Sequence, residues 1–242
     1  MTTADQQYEE AARRELAAWK AQLTKPAGPM DAAAKHFQGT VNRLIPEKVH
    51  AAITKAIEGL TRGIVTGADW LTAEPLKGAS LQDREQSIAT ATASWRTAAA
   101  AEGGVTGAAG FLGSAADFPA LLALKFKLLV ETAALYGYDA KDWRERLYLL
   151  WIFQLAFSSG ASRIEQLERL ANWDKNLAAL PAGPEDFDWR RFQQEYRDHI
   201  DLAKLAQMLP VVGAPVGALV NFNLMQKLAE TAKGAYRMRW FA

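Results

Sequence analysis

The sequence predicts an all-α protein, a single compact domain of about eight to nine helices. Three observations predict it. Apolar residues recur at spacings of three and four along most of the 242 residues, and strand-like alternation is nearly absent. Half of the residues are hydrophobic, enough for a sizeable core. Short glycine ladders recur in three places: Gly59, Gly63 and Gly67; Gly103, Gly107, Gly110 and Gly113; Gly213 and Gly217. Spacing of four puts small residues on one helical face, where two backbones can approach closely. The ladders therefore predict glycine-rich, close-packed helices. Their intervals are irregular and their flanks differ, so they are not a solenoid repeat.

Thr3 and Gln6 form a capping box for a first helix, with Tyr8, Ala12, Leu16, Trp19 and Leu23 at helical spacing. Lys25–Pro29 ends it, and a short helix follows over Met30–Phe37. Pro46 opens a long helix with Val49, Ile53, Ile57, Leu60 and Ile64 along one face, fading near Glu74-Pro75. Ser80 with Asp83 opens the next, through Ile88 and Trp95 to Ala101. The stretch Glu102–Ala116 is rich in Gly, Ala and Ser, and is either a loop or a loosely packed glycine helix. Pro119 starts an apolar helix to Tyr136, and Gly137 is its stop signal. Asp139 or Asp142 caps a helix bearing Trp143, Leu147, Leu150, Trp151 and Leu155. Ser162 with Glu165 is a second capping box, ahead of Leu167, Leu170, Trp173 and Leu177. Pro181–Asp186 reads as a linker. A helix from Trp189 to Met208 and a last one from Pro215 to Trp240 complete the chain.

Composition narrows the function. The chain has 28 basic and 27 acidic residues, a net charge of +1, without the basic excess of a nucleic-acid binder. It has no cysteine, which excludes disulfides, thiol nucleophiles and cysteine-ligated metals. The polar, acidic N-terminus is not a secretory signal. The apolar runs Leu147–Phe153 and Leu209–Val220 fall well short of the roughly 20 residues that span a bilayer. The expected location is cytoplasmic, with peripheral attachment at the inner face of the cell membrane left open. Glu195 and His199 are four apart but lack an HExxH context, and no P-loop, GxSxG or dinucleotide fingerprint occurs. No metal and no cofactor is expected.

Two segments carry a resemblance. The first holds Asp117-x-Pro119, Glu131, Tyr136-Gly137 and Asp139; the second holds Leu209-Pro210, Gly213, Gly217, Asn221, Glu230, Ala235-Tyr236-Arg237 and Arg239. In order and separation they resemble the EcsC family of bacterial proteins. Lys125 departs from the pattern, standing where glutamine is expected. The resemblance covers Ile45–Ala242, so residues 1–40 read as an N-terminal helical extension and 45–242 as the family-like core. It implies a cellular neighbourhood rather than a reaction, because the family is named for a gene beside an ABC-transporter pair. It supplies no catalytic residues.

The candidate binding residues are Asp117, Lys125, Glu131, Tyr136, Asp139, Asn221, Glu230 and Arg237. Asp117 precedes Pro119 by two and is expected to cap its helix. Lys127 and Glu131, four apart, are expected to pair on an otherwise apolar helix. Asn221 shares the apolar face of the last helix with Leu224, Leu228, Ala232 and Ala235, and needs buried partners. Glu230 and Arg237 are seven apart and expected to face the same way. The candidate membrane-surface residues are Lys233, Arg237, Arg239, Trp240 and Phe241, because cations interleaved with aromatics suit an interface. The same residues also suit a final helix packing into the core. The leading reading is a non-enzymatic accessory or adaptor protein at the membrane surface, with a transporter or secretion system as partner. The alternatives are a carrier with a lipid between the Phe118–Tyr136 helix and the last helix, and a hydrolase built on Asp117, Glu131 and Asp139.

Overall fold

A computed structural model describes residues 3–25, 55–59, 61–64, 67, 73–108, 118–180, 182–186, 188 and 214–242. Among these there are seven named α-helices and no strand: α1 (Thr3–Thr24), α2 (Leu81–Ala108), α3 (Phe118–Tyr136), α4 (Trp143–Phe157), α5 (Gly160–Ala171), α6 (Trp173–Ala179) and α7 (Ala214–Trp240). Residues 55–59 and 61–64 are also helical, and bury Ile57 and Ile64. The expected helices at 30–37 and 189–208, the three histidines and Asp117 lie outside the described residues.

Helix ends follow the local chemistry. The Ser80 hydroxyl donates to Asp83 (2.8 Å) and accepts from the Asp83 N–H (3.2 Å), starting α2 as its sequence predicts. Asp142 caps α4 by accepting from the Arg144 N–H at 2.9 Å. Gly137 ends α3 at φ +94°, and the N–H groups of Gly137 and Tyr138 return to the carbonyls of Ala134 and Ala133. Two expectations need correction. The Ser162–Glu165 box does not start α5, which begins two residues earlier after Ser159. α2 continues past Ala101 to Ala108, so the glycine-rich stretch is helical at least that far.

Helix α3 is apolar nearly all round and buries Leu121, Leu122, Phe126, Leu128, Leu129, Val130, Ala133 and Ala134. Such a helix belongs at the centre of a body. α2 runs antiparallel to it and to α7, while α3 and α7 run parallel, as the Lys125–Asn221 and Tyr136–Tyr236 contacts show. α1 lies across α7 in the opposite sense, from Glu9 beside Trp240 to Trp19 beside Gly234. α4 packs behind, with Phe126 and Phe153 stacked at 4.9 Å.

The glycine-ladder reading holds less well. A side-chain carbon at Gly59 or Gly63 would meet nothing within 4 Å, and Gly67 sits in a turn at φ +85°. The close approach occurs at Gly234, where an added carbon would lie 2.7 Å from the Trp19 ring.

Candidate functional site

α7 ends in two buried charge clusters, built on Arg237 and Arg239. Their spacing of two turns the two side chains to different sides of the helix. On one side Arg237 meets Glu85, placed by the first turns of α2. Its Nε donates to Glu85 Oε1 at 2.6 Å and its Nη2 to Oε2 at 2.7 Å, a two-pronged pair. The Tyr136 hydroxyl donates to Oε1 at 2.9 Å, the Tyr8 hydroxyl to Oε2 at 2.8 Å, and Lys233 Nζ lies 3.0 Å from Oε2. Arg237 Nη1 reaches Glu15 of α1 at 2.8 Å. One carboxylate thus ties together α1, α2, α3 and α7.

Burial pushes the Glu85 carboxyl up, but hydrogen bonds from Arg237 and Tyr8 and the charges of Lys233 and Arg237 outweigh it. The carboxyl is held below its ordinary value. Burial and the same carboxylate raise Tyr8 to about 12 and Tyr136 well above the ordinary phenol range.

On the other side Arg239 Nη1 donates to Glu145 of α4 at 2.6 Å, and the Tyr236 hydroxyl donates to the other carboxylate oxygen at 2.5 Å. The guanidinium lies 3.6 Å over the Tyr138 ring and 4.6 Å over Tyr148. Here burial wins: Glu145 is pushed up despite the opposing charge of Arg239 and the bonds from Tyr236 and Arg239. Glu85 has two cations and two phenols, whereas Glu145 has one of each.

The predicted site residues fall as follows. Tyr136 and Arg237 meet on Glu85. Lys125 and Asn221 meet each other: both are fully buried, and Lys125 Nζ donates to Asn221 Oδ1 at 3.3 Å. Burial lowers the Lys125 amine to about 7. Glu131 does not pair with Lys127, which is exposed; it accepts from the Trp95 indole across the α2–α3 interface. Glu230 is exposed and accepts from Gln226 at 2.7 Å, while Arg237 is buried against Glu85, so the two share a helical face but take different partners. Asp139 is exposed and accepts from the Lys141 N–H at 2.8 Å.

The terminal aromatics also turn inward. The Trp240 indole donates to Glu9 at 3.2 Å, and Arg13 lies 4.1 Å over the Phe241 ring. Lys233 is partly exposed. Sequence reasoning missed Glu85 and Glu145. Each sits in the first turn or two of a helix, where an acidic residue reads as helix-dipole complement.

The described residues therefore place Glu131, Tyr136, Asn221, Arg237 and Arg239 at joints between helices, and leave Asp139 and Glu230 exposed. The model for the EcsC protein family matches residues 10–241. The chain belongs to the EcsC family. It is similar to Protein EcsC of Bacillus subtilis (strain 168), 38% identical over 227 residues that cover 93% of each chain. It is also similar to Uncharacterized protein YdbA of the same organism, 28% identical over 82% of this chain and 80% of that one. No solved structure matches. The family match takes in most of α1, the helix that supplies Glu15 to Arg237.

Proposed function

We propose that this EcsC-family protein is a non-catalytic accessory protein. It docks peripherally on the inner face of the cell membrane, beside a transporter or secretion system. One observation carries the reading: the end of α2 and the starts of α3 and α7 lie toward one end of the fold, and the sequence that runs on from α2 and leads into α7 is uncharged. Trp95 bonds Glu131 across α2 and α3. From that level the end of α2 at Ala108 and the start of α3 at Phe118 each lie about 20 Å away, in the same direction, at 1.5 Å per residue. Arg96 over Phe222 sets α7 in the same register, with its start at Ala214 toward that end. The stretches Gly103–Ala116, running on from the end of α2, and Leu209–Val220, leading into α7, contain no Asp, Glu, Lys or Arg, and the charge at this end is Asp117, which directly precedes α3. Leu219, in the second turn of α7, is 60% exposed. An end of this composition suits the acyl boundary of a bilayer.

No described helix is long and apolar enough to cross a membrane. The reading is of peripheral docking, and α7's far end serves it as a joint between helices: Arg237 is buried, and Arg239, Trp240 and Phe241 are half-buried against Glu145, Glu9 and Arg13. The fitting partner is a membrane protein reached from this orientation. Vesicle flotation tests the reading. The protein should float with neutral as well as anionic vesicles, with little loss at high salt, and Leu219→Glu should reduce the floated fraction several-fold. A protein that stays wholly in the soluble fraction with every vesicle would overturn it.

A further inference from the structure

An open cleft of about 380 Å³ lies between α2 and α7. That volume suits a small organic molecule. Helix register orders its walls. Arg96 stands beside Phe222 at one end, and Glu85 holds Lys233 at the other. Ile88, Ala89, Ala93 and Ala229 give it a low, apolar floor.

The Arg96 end carries polar groups that the fold leaves unused. The Arg96 guanidinium rests 3.7 Å over the Phe222 ring. Its Nε is buried with no hydrogen-bond partner. Among the described residues no carboxylate pairs with it, in contrast to Arg237 and Arg239. Thr92 lies one turn earlier on the same face and is only 7% exposed. Thr90 and Thr97 of the same helix give their hydroxyls to carbonyls one turn back, at 3.2 and 3.1 Å. Thr92 makes no such bond and lines the cleft. A buried donor without an acceptor is costly to leave unpaired. A planar guanidinium fixed against a ring, with a hydroxyl beside it, is arranged to take two oxygens of an anion.

We infer that this cleft binds a small organic phosphate monoester. Its phosphoryl oxygens are held by Arg96 and Thr92, and its body lies on Ile88 and Ala229. The anion belongs at the Arg96 end because Glu230, about 12 Å further along α7, carries a carboxylate. The carboxylate of Glu85 is already neutralised by Arg237 and Lys233. The phosphate can come from a soluble metabolite or from a lipid headgroup.

Calorimetric titration with glycerol 3-phosphate and with phenyl phosphate tests the soluble source. The excess of sedimentation with vesicles containing phosphatidic acid over that with pure phosphatidylcholine vesicles tests the lipid source. Saturable binding by any of these should weaken about 10-fold or more in Arg96→Gln and about 3- to 10-fold in Thr92→Val, with thermal midpoints close to wild type. If Arg96→Gln unfolds, the Nε–H resonance of Arg96 in the wild-type protein replaces it and should shift on saturation. No binding below about 10 mM, binding or excess sedimentation on phosphatidic acid equal to wild type in Arg96→Gln, or an unmoved Arg96 resonance at saturation overturns the inference.

Discussion

Lys125 is a cation placed at the centre of the body, against an amide rather than a carboxylate. Replacing it with methionine keeps most of the volume and removes the charge. Its amine has a folded value of about 7 against 10.5 unfolded. The sign follows from which state binds the proton. Between these values the unfolded chain is protonated and the folded chain is not, so stability rises with pH across that window. Below about 7 both states are charged and the full penalty is present. Applied to one site, the linkage puts the penalty at about 4 kcal/mol at pH 7 and about 2 kcal/mol at pH 9. Lys125→Met should therefore be more stable than wild type at pH 7, by a margin reduced by the lost bond to Asn221. That margin should shrink by about 2 kcal/mol at pH 9. Denaturant unfolding of both proteins at the two pH values measures it, and titrations common to both cancel in the difference. A difference independent of pH would refute a neutral, desolvated amine.

Glu85→Gln removes the charge that Arg237 and Lys233 both need and should destabilise by about 3 to 5 kcal/mol, read by urea unfolding. Gly234→Ala places a carbon 2.7 Å from Trp19 and should cost about 1 to 3 kcal/mol, while Gly59→Ala, facing open space in a helical segment, should be neutral or stabilising by up to about 1 kcal/mol. Equal effects at the two glycines would show that α1 does not pack as described. Arg239→Met leaves the Glu145 carboxylate buried without its cation. Its loss of stability should deepen as pH rises from about 4 toward neutrality, because Glu145 is already raised and must ionise unpaired.

Periodicity made the helices legible, and capping chemistry made several of their ends legible. Ser80–Asp83, Asp142 and Gly137 act locally, so four or five residues suffice to read them. Ser162–Glu165 has the same spacing but lies inside α5, because the chain already turns into helix at Gly160. Asn221 was legible as a buried amide because its helical face is otherwise apolar. Its partner was not, since Lys125 lies 96 residues away and a lysine in a core breaks the usual pattern. Arg237 shows the same limit. On a helical wheel it sits with Glu230 and Gln226, but α1 covers that side of α7 near its end, so a polar face becomes an interior. Spacing alone also could not separate Gly59, with room around it, from Gly234, where a tryptophan ring lies against the backbone.

The proposed function requires that the end where α2 stops and α3 and α7 start contacts a lipid surface. The chain has no cysteine, so a single one can be labelled cleanly. An environment-sensitive dye at Leu219→Cys, compared with the same dye at Glu74→Cys, tests the claim most directly. Both positions are exposed. On adding vesicles the emission at position 219 should shift to the blue and brighten, persisting at high salt, with no change at position 74. An unchanged spectrum at 219, or equal shifts at both positions, would contradict it.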